Sequence, residues 1–172
     1  LGMASLAPGD LLVDLGSGDG RIVVTAAERG ARGIGIEYDL ALVEWSRIRA
    51  REAGVSERTV FRRADLFETD LTGADIVTLY LSHEFNQRLR PRLLEQLAPG
   101  ARVVSHGFHM GPWSPDSTVV LGSGAERATL YSWIVPADVD GFWYLDIQGA
   151  RGVSLEIRQR YQMLGGQLSR SG

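Results

Sequence analysis

The chain has 172 residues, is 44% hydrophobic and carries a formal net charge of −3. That fits one globular domain and gives no electrostatic footprint for nucleic acid or an anionic membrane, so neither is expected as a partner. Cys is absent, which excludes disulfides, thiolate metal sites and a Cys nucleophile.

The first half alternates between strand and helix. Residues 11–15 (LLVDL) are a short apolar run, as in a strand buried on both faces. Residues 21–29 (RIVVTAAER) read as helix, closed by Gly30 and Gly33. Residues 34–37 (IGIE) read as a second strand. Asp39 can cap a helix over 40–53, with Leu40, Val43 and Ile48 near one face, and Gly54 ends it. Residues 59–63 and 75–81 read as the third and fourth strands, 84–97 as a helix, Pro99-Gly100 as a turn and 102–106 (RVVSH) as the fifth strand. Repeated strand–helix–strand units predict an α/β fold: a doubly wound, mostly parallel Rossmann-like sheet with helices on both faces.

The second half differs. Residues 107–126 are rich in Gly, Pro and Ser and show no helical period. Residues 127–135, 142–148 and 153–163 then read as strands. The last two alternate apolar and polar residues about a Gly-containing turn and are expected to be antiparallel. The expected organisation is a core over 1–136 and a β-rich C-terminal extension of the same domain over 137–172; the β-rich part as a whole, from 127 on, is expected to finish the sheet and extend from it, and the end, GGQLSRSG, to be frayed. No stretch reaches the roughly 18 apolar residues of a membrane-spanning helix. No secretory pattern opens the chain, so a cytoplasmic location is expected. Because the chain starts at Leu1 rather than Met, a processed or trimmed form is expected.

Ligands of such sheets sit at the carboxyl ends of the strands, and there lies "VDLGSGDG" at 13–20. Glycines at 16, 18 and 20 let a ligand or the chain itself come close. A dinucleotide site wants G-x-G-x-x-G, and its third position falls here on Arg21. Asp14 and Asp19 oppose a pyrophosphate and favour a cation. Asp14 can attract an ammonium or sulfonium, or hold the loop through backbone amides. Glu37, at the end of the second strand, can accept two vicinal hydroxyls. Asp65 can serve a ligand or cap a helix.

"VDLGSGDGRIVV" resembles the first motif of the class I, seven-strand S-adenosylmethionine-dependent methyltransferases, "GIGIE" the second, "RADLF" the third and "LAPGARVVS" the turn and fifth strand, in order across about residues 10–116. The resemblance implies S-adenosylmethionine as cofactor. It assigns Asp14, Leu15, Gly16, Ser17, Gly18 and Gly20 to the methionine side, Glu37 to the ribose, and Asp65 and Leu66 to the adenine, with Tyr38 and Tyr80 as further cofactor-binding residues. The fuller spelling, through "VTLYL", "N..LRPRL" and "SH.F..G.W.PD", is similar to the bacterial and archaeal relatives of the ATP-synthase c-subunit lysine methyltransferases. That implies a lysine N-methyltransferase, with a protein acceptor expected first, a small-molecule acceptor as alternative, and a catalytically inactive binding module as a third reading. Two features depart from those relatives: only about ten residues precede the first strand, and the β-rich tail lies outside the lysine methyltransferase core.

The acceptor should meet the segments after strands four and five. "LYLSHEFN" is not the Asn/Asp-Pro-Pro-Tyr of base and glutamine methyltransferases, and no metal site can be assembled. A lysine ammonium, with a pKa of about 10.4, must lose a proton before attack, and aromatic or apolar walls ease that loss. Tyr80, His83, His106, Phe108 and Trp113 are the expected catalytic and pocket residues, with Phe85 nearby and Glu84 and His109 as further proton acceptors. Asn86, the single Asn, is expected to cap or brace its helix. All 18 basic residues are Arg; both coding bias and avoidance of self-methylation account for that.

Overall fold

The computed structural model describes residues 1–124, 127–148 and 150–170. In chain order it forms β1 (Leu11–Leu15), α1 (Arg21–Glu28), β2 (Arg32–Glu37), α2 (Leu40–Glu52), a single 3-10 turn (Ser56–Arg58), β3 (Thr59–Arg63), β4 (Ile76–Leu79), α3 (His83–Gln96) and β5 (Arg102–His106). Five strands follow: β6 (Ser117–Leu121), β7 (Ala128–Ile134), β8 (Gly141–Ile147), β9 (Ala150–Arg160) and β10 (Met163–Arg170).

The main sheet has seven strands in the order β3-β2-β1-β4-β5-β7-β6. β1 to β5 pair in parallel, and β7 joins antiparallel to both β5 and β6. The chain runs outward from β1 to β3, then returns to β4 beside β1. Right-handed crossovers therefore place α1 and α2 on one face and α3 on the other. The reversal falls between β1 and β4, so the carboxyl ends of these two strands flank the crevice where such sheets bind ligands. Leu12, Leu15, Ile76 and Val77 are fully buried there, as strands covered on both faces require.

Several boundaries differ from the sequence reading. Gly33 lies inside β2 rather than closing α1. A Cβ there would sit 2.6 Å from Val23 Cγ1, so this glycine lets α1 cross the strand closely. The buried stripe of α2 is Val43, Ser46 and Ala50, while Leu40 and Ile48 are exposed. Positions 43 and 48 are about 140° apart at the helical 100° per residue, too far for one face. β4 stops at Leu79, and Ser82 then caps α3 by accepting from Phe85 N.

Inside the segment expected to be irregular, Ser117–Leu121 forms the outermost strand of the sheet. The tail is also more regular than expected, since Met163–Arg170 is a full strand paired with β9. β7, within the predicted 127–135, finishes the main sheet together with β6, whereas β8, β9 and β10 lie outside it. They form their own three-stranded antiparallel sheet. By its contacts the chain divides into two compact units, Leu1–Val135 and Pro136–Gly172. Gly149, in the turn expected between the paired strands, lies outside the described residues. No helix among the described residues is long and apolar enough to cross a membrane.

Candidate active site

The loop after β1 turns on three left-handed glycines, Gly16 (φ 78°), Gly18 (φ 53°) and Gly20 (φ 75°). The amides of Gly16 and Ser17 both donate to Ile36 O at 2.9 Å, which ties the loop to the end of β2. α2 holds it from outside: Ser46, fully buried, donates from Oγ to Gly18 O (3.0 Å) and Leu42 O (2.9 Å). A Cβ on Gly20 would lie 2.7 Å from both Phe61 and Ser46, so the loop has no room for a side chain at that point. Asp19 receives Arg21 and Arg49 (2.8 Å), and the Arg21 hydrogen bond holds its carboxyl below the usual range. Its role here is to anchor the loop to α1 and α2.

Two further carboxylates sit near these strand ends: Glu37 lines the cleft that runs over them, and Asp14 is buried and lines neither this cleft nor its smaller neighbour. Glu37 is fixed by three backbone amides: Gly18 N to Oε2 (2.9 Å), and Tyr38 N and Asp39 N to Oε1 (2.8 and 3.0 Å). Asp14 is buried and accepts from Thr78 Oγ1 at 2.6 Å across the β1–β4 pair. Burial pushes its carboxyl up to about 6; the Thr78 bond opposes this, and the charges of Glu37 and Asp19 add to it. With Arg21 and Arg49 engaged on Asp19, the remaining carboxylates, Asp14 and Glu37, make a poor phosphate cradle and suit a positively charged ligand.

A cleft of about 510 Å³ runs over these strand ends, lined by Gly16, Glu37, Asp65, Leu66 and Tyr80 among others. Its far end is aromatic. Phe67 and Phe85 meet edge to face at 5.1 Å, and the Arg88 guanidinium lies 3.7 Å from the Phe67 ring centre. Asp65 Oδ1 accepts from Phe67 N (2.8 Å), which sets the turn after β3. A second cleft, of about 260 Å³ and mostly apolar, is lined by Ile22, Thr78, Tyr80, Val104, His106 and Leu130 among others. Tyr80 belongs to both clefts. Its ring meets His106 at 4.2 Å, nearly perpendicular.

The family model of the ANTKMT methyltransferase domain matches residues 14–117, from the β1 acid to the start of β6. The chain belongs to this methyltransferase family. A protein-lysine N-methyltransferase of Saccharolobus islandicus (strain REY15A) is 32% identical over 137 residues, covering 78% of this chain and 85% of that protein. The adenine nucleotide translocase lysine N-methyltransferase of Mus musculus is 39% identical over 121 residues, 70% of this chain and 52% of the mouse protein. The chain thus spans about half the length of that relative. Among solved structures, an RNA methyltransferase from Salinibacter ruber in complex with S-adenosyl-L-homocysteine superposes with a TM-score of 0.77 at 52% identity, covering 81% of this chain and 89% of that one.

Within this methyltransferase domain the sequence-predicted residues divide into groups. Gly16, Glu37, Tyr38, Asp65, Leu66 and Tyr80 converge on the larger cleft. Gly18 and Gly20 shape its loop. The Leu15 side chain is fully buried, so that residue can present only its backbone. Ser17 is buried, and its Oγ has no partner among the described residues. Tyr80 and His106 meet at the smaller cleft. His83 instead packs on His109 at 4.6 Å and touches Gln87. Phe108 is about one-third exposed, and its carbonyl accepts from Asn86. Trp113 lines neither cleft: it is fully buried, tilted against Trp133 at 5.8 Å, and its carbonyl takes the Trp133 indole N–H. Phe85 lines the larger cleft rather than the acceptor side. Sequence reasoning passed over Thr78, Ser46 and Arg88. The three-residue spacing of Phe85 and Arg88 on one helix was the only signal for the last of these.

Proposed function

We infer that the chain transfers the methyl group of S-adenosylmethionine to the side-chain amine of a protein lysine. The observation that carries this reading is the convergence of Gly16, Glu37, Asp65 and Tyr80 on one cleft, beside an acidic loop that is tight at Gly16 and Gly20. The fit with the cofactor rests on that loop: its charge suits a sulfonium and an α-ammonium, and a Cβ on Gly16 would run into Leu81 at 2.7 Å. When bound, S-adenosylmethionine supplies an electrophilic methyl carbon on a positively charged sulfur.

The residues then divide the work. The Asp14 carboxylate attracts the cationic end. Glu37, held by its three amides, presents its remaining acceptor capacity to the ribose hydroxyls. Asp65 and the Leu66 backbone face the adenine edge. The acceptor amine approaches through the apolar second cleft, where desolvation favours its neutral form. His106, directly or through one water, takes the proton, and Tyr80 walls the passage between the clefts. Asp14, Glu37 and Asp65 hold the cofactor for transfer of its methyl carbon to the amine nitrogen, with S-adenosylhomocysteine as the leaving group. Positioning and exclusion of water make up most of the catalysis.

A lysine acceptor draws support from the named activities of the Saccharolobus and mouse relatives, from the absence of an Asn/Asp-Pro-Pro-Tyr segment after β4 and from the net negative charge. The Salinibacter structure favours a second reading, an RNA acceptor. Incubation with methyl-tritiated S-adenosylmethionine and a cell lysate, followed by separation of protein, RNA and small molecules, separates them. Label recovered as methyl-lysine after acid hydrolysis of the protein fraction is expected. Label confined to RNA, or to small molecules, overturns the proposal.

A further inference from the structure

The stretch that follows β5 reads from its composition as a loose loop, yet it is fastened along its length to one stripe of α3. His83, Asn86, Gln87 and Arg90 recur at the spacing of one helical face. The His83 ring packs on His109. Arg90 Nη1 donates to Met110 O at 2.7 Å. A Cβ on Gly111 would sit 2.9 Å from Arg90 Nη1 and 3.3 Å from Gln87. Asn86 makes the central tie: its Nδ2 donates to Ser105 Oγ (2.8 Å) and to Phe108 O (2.9 Å). Asn86 and Ser105 are both fully buried.

Ser105 and Phe108 straddle His106. Side chains alternate along a strand, so Ser105 faces α3 while His106 faces the smaller cleft, and Asn86 reaches His106 only through the backbone on either side of it. The opposite side of the same turn is fixed too, since Gly107, at φ +81°, donates to Thr129 O at 2.7 Å. The His106 ring is thus aimed at Tyr80 by an amide from one layer of the fold and a carbonyl from the neighbouring strand.

We propose that Asn86 is a positioning residue for methyl transfer: by bridging Ser105 and Phe108 it sets the direction of His106 in the acceptor cleft. This rests on the reading of His106 as proton acceptor given above. A primary amide suits the task because a single NH2 group can donate to a hydroxyl and a carbonyl at once. Displacements of about 1 Å at a reacting group cost on the order of a hundredfold in rate, so the loss of this bridge should appear in turnover; neither Asn86 nor Ser105 lines the larger cleft, so cofactor affinity should hold.

The test uses the whole chain, lysate protein as acceptor and tritiated S-adenosylmethionine at saturation. Asn86→Ala, His106→Ala and the double variant are compared by initial rate and by calorimetric affinity for S-adenosylhomocysteine. The expected result is a rate loss of about tenfold or more for each single variant, a double variant no slower than His106→Ala, and cofactor affinity unchanged within about twofold. If Asn86→Ala slows the His106→Ala background by the same factor as the wild type, Asn86 does not act through His106 and the proposal is overturned. An unchanged rate in His106→Ala overturns the His106 reading itself, and the positioning role with it. Should Asn86→Ala fail to fold, Ser105→Ala removes one acceptor of the bridge without emptying a core position. A partial rate loss that vanishes in the His106→Ala background is expected, and an unchanged rate refutes the idea.

Discussion

Asp14→Asn separates the cost of a buried carboxylate from its use. The wild-type carboxyl has its pKa pushed by burial to about 6 in the folded chain, against 3.8 as the ordinary value. Because the folded state holds the proton more tightly than the unfolded state, the group opposes folding once both states are ionised. The opposition is small below pH 4, grows as pH rises through the window from about 4 to 6, and is constant above it. Two pKa units correspond to about 3 kcal/mol at pH 8, and to about 1 kcal/mol at pH 4.5, where the shift is only partly expressed. Asparagine keeps the shape and can still accept from Thr78, but carries no charge. Urea denaturation of the cofactor-free protein should therefore show Asp14→Asn gaining about 2 kcal/mol on wild type between pH 4.5 and pH 8. The same variant should bind S-adenosylmethionine more weakly at neutral pH, and wild-type affinity should fall as pH drops below about 6. A stability difference that is flat across that range, or that favours wild type as pH rises, would falsify the assignment of the shift to burial of Asp14.

Three other substitutions probe the site and its supports. Glu37→Gln leaves one backbone N–H facing an amide donor and removes a charged acceptor, so S-adenosylhomocysteine should bind about 10- to 150-fold more weakly, equivalent to about 1.5–3 kcal/mol; calorimetry showing less than a twofold change removes Glu37 from the ribose role. Gly20→Ala combines a left-handed backbone with a Cβ 2.7 Å from Phe61 and Ser46, and should cost about 2–4 kcal/mol in urea denaturation; a loss below about 1 kcal/mol would mean that α2 yields easily. Trp113→Ala should cost about 3–5 kcal/mol of stability, because the ring is fully buried against Trp133; a variant as stable as wild type but inactive would instead place Trp113 at the acceptor.

Legibility of the chain follows burial. β1 and β5 fall at the predicted residues because a strand covered on both faces must be apolar along its length, with punctuation at its ends; β3, an edge strand with only Phe61 buried, is the exception to that rule. β6 and β10 were missed for the converse reason: their residues are largely exposed, so the strands are held by backbone pairing and leave little apolar alternation to read. At the site, Gly16, Glu37 and Asp65 were legible because each sits at or just beyond the carboxyl end of a recognisable strand. Ser46, Thr78, Asn86 and Arg88 lie within helices or strands, where a polar residue in the sequence looks the same whether it meets water or a buried partner. Only the three-dimensional pairing of α2 with the glycine loop, and of α3 with the stretch after β5, distinguishes the two. Trp113 shows the opposite error: an aromatic residue close to a strand end suggested a pocket wall, but the β7 strand it packs on draws it into the core.

α3 presents different flanks to the two clefts. Phe85 and Arg88 line the larger one, while His83, Asn86 and Arg90 hold the segment that carries His106 and Phe108. A ligand that shifts this helix as a unit shifts both walls, so donor and acceptor share one mechanical element. By thermodynamic linkage, whatever factor the bound cofactor contributes to acceptor affinity through α3, the bound acceptor must return to the cofactor.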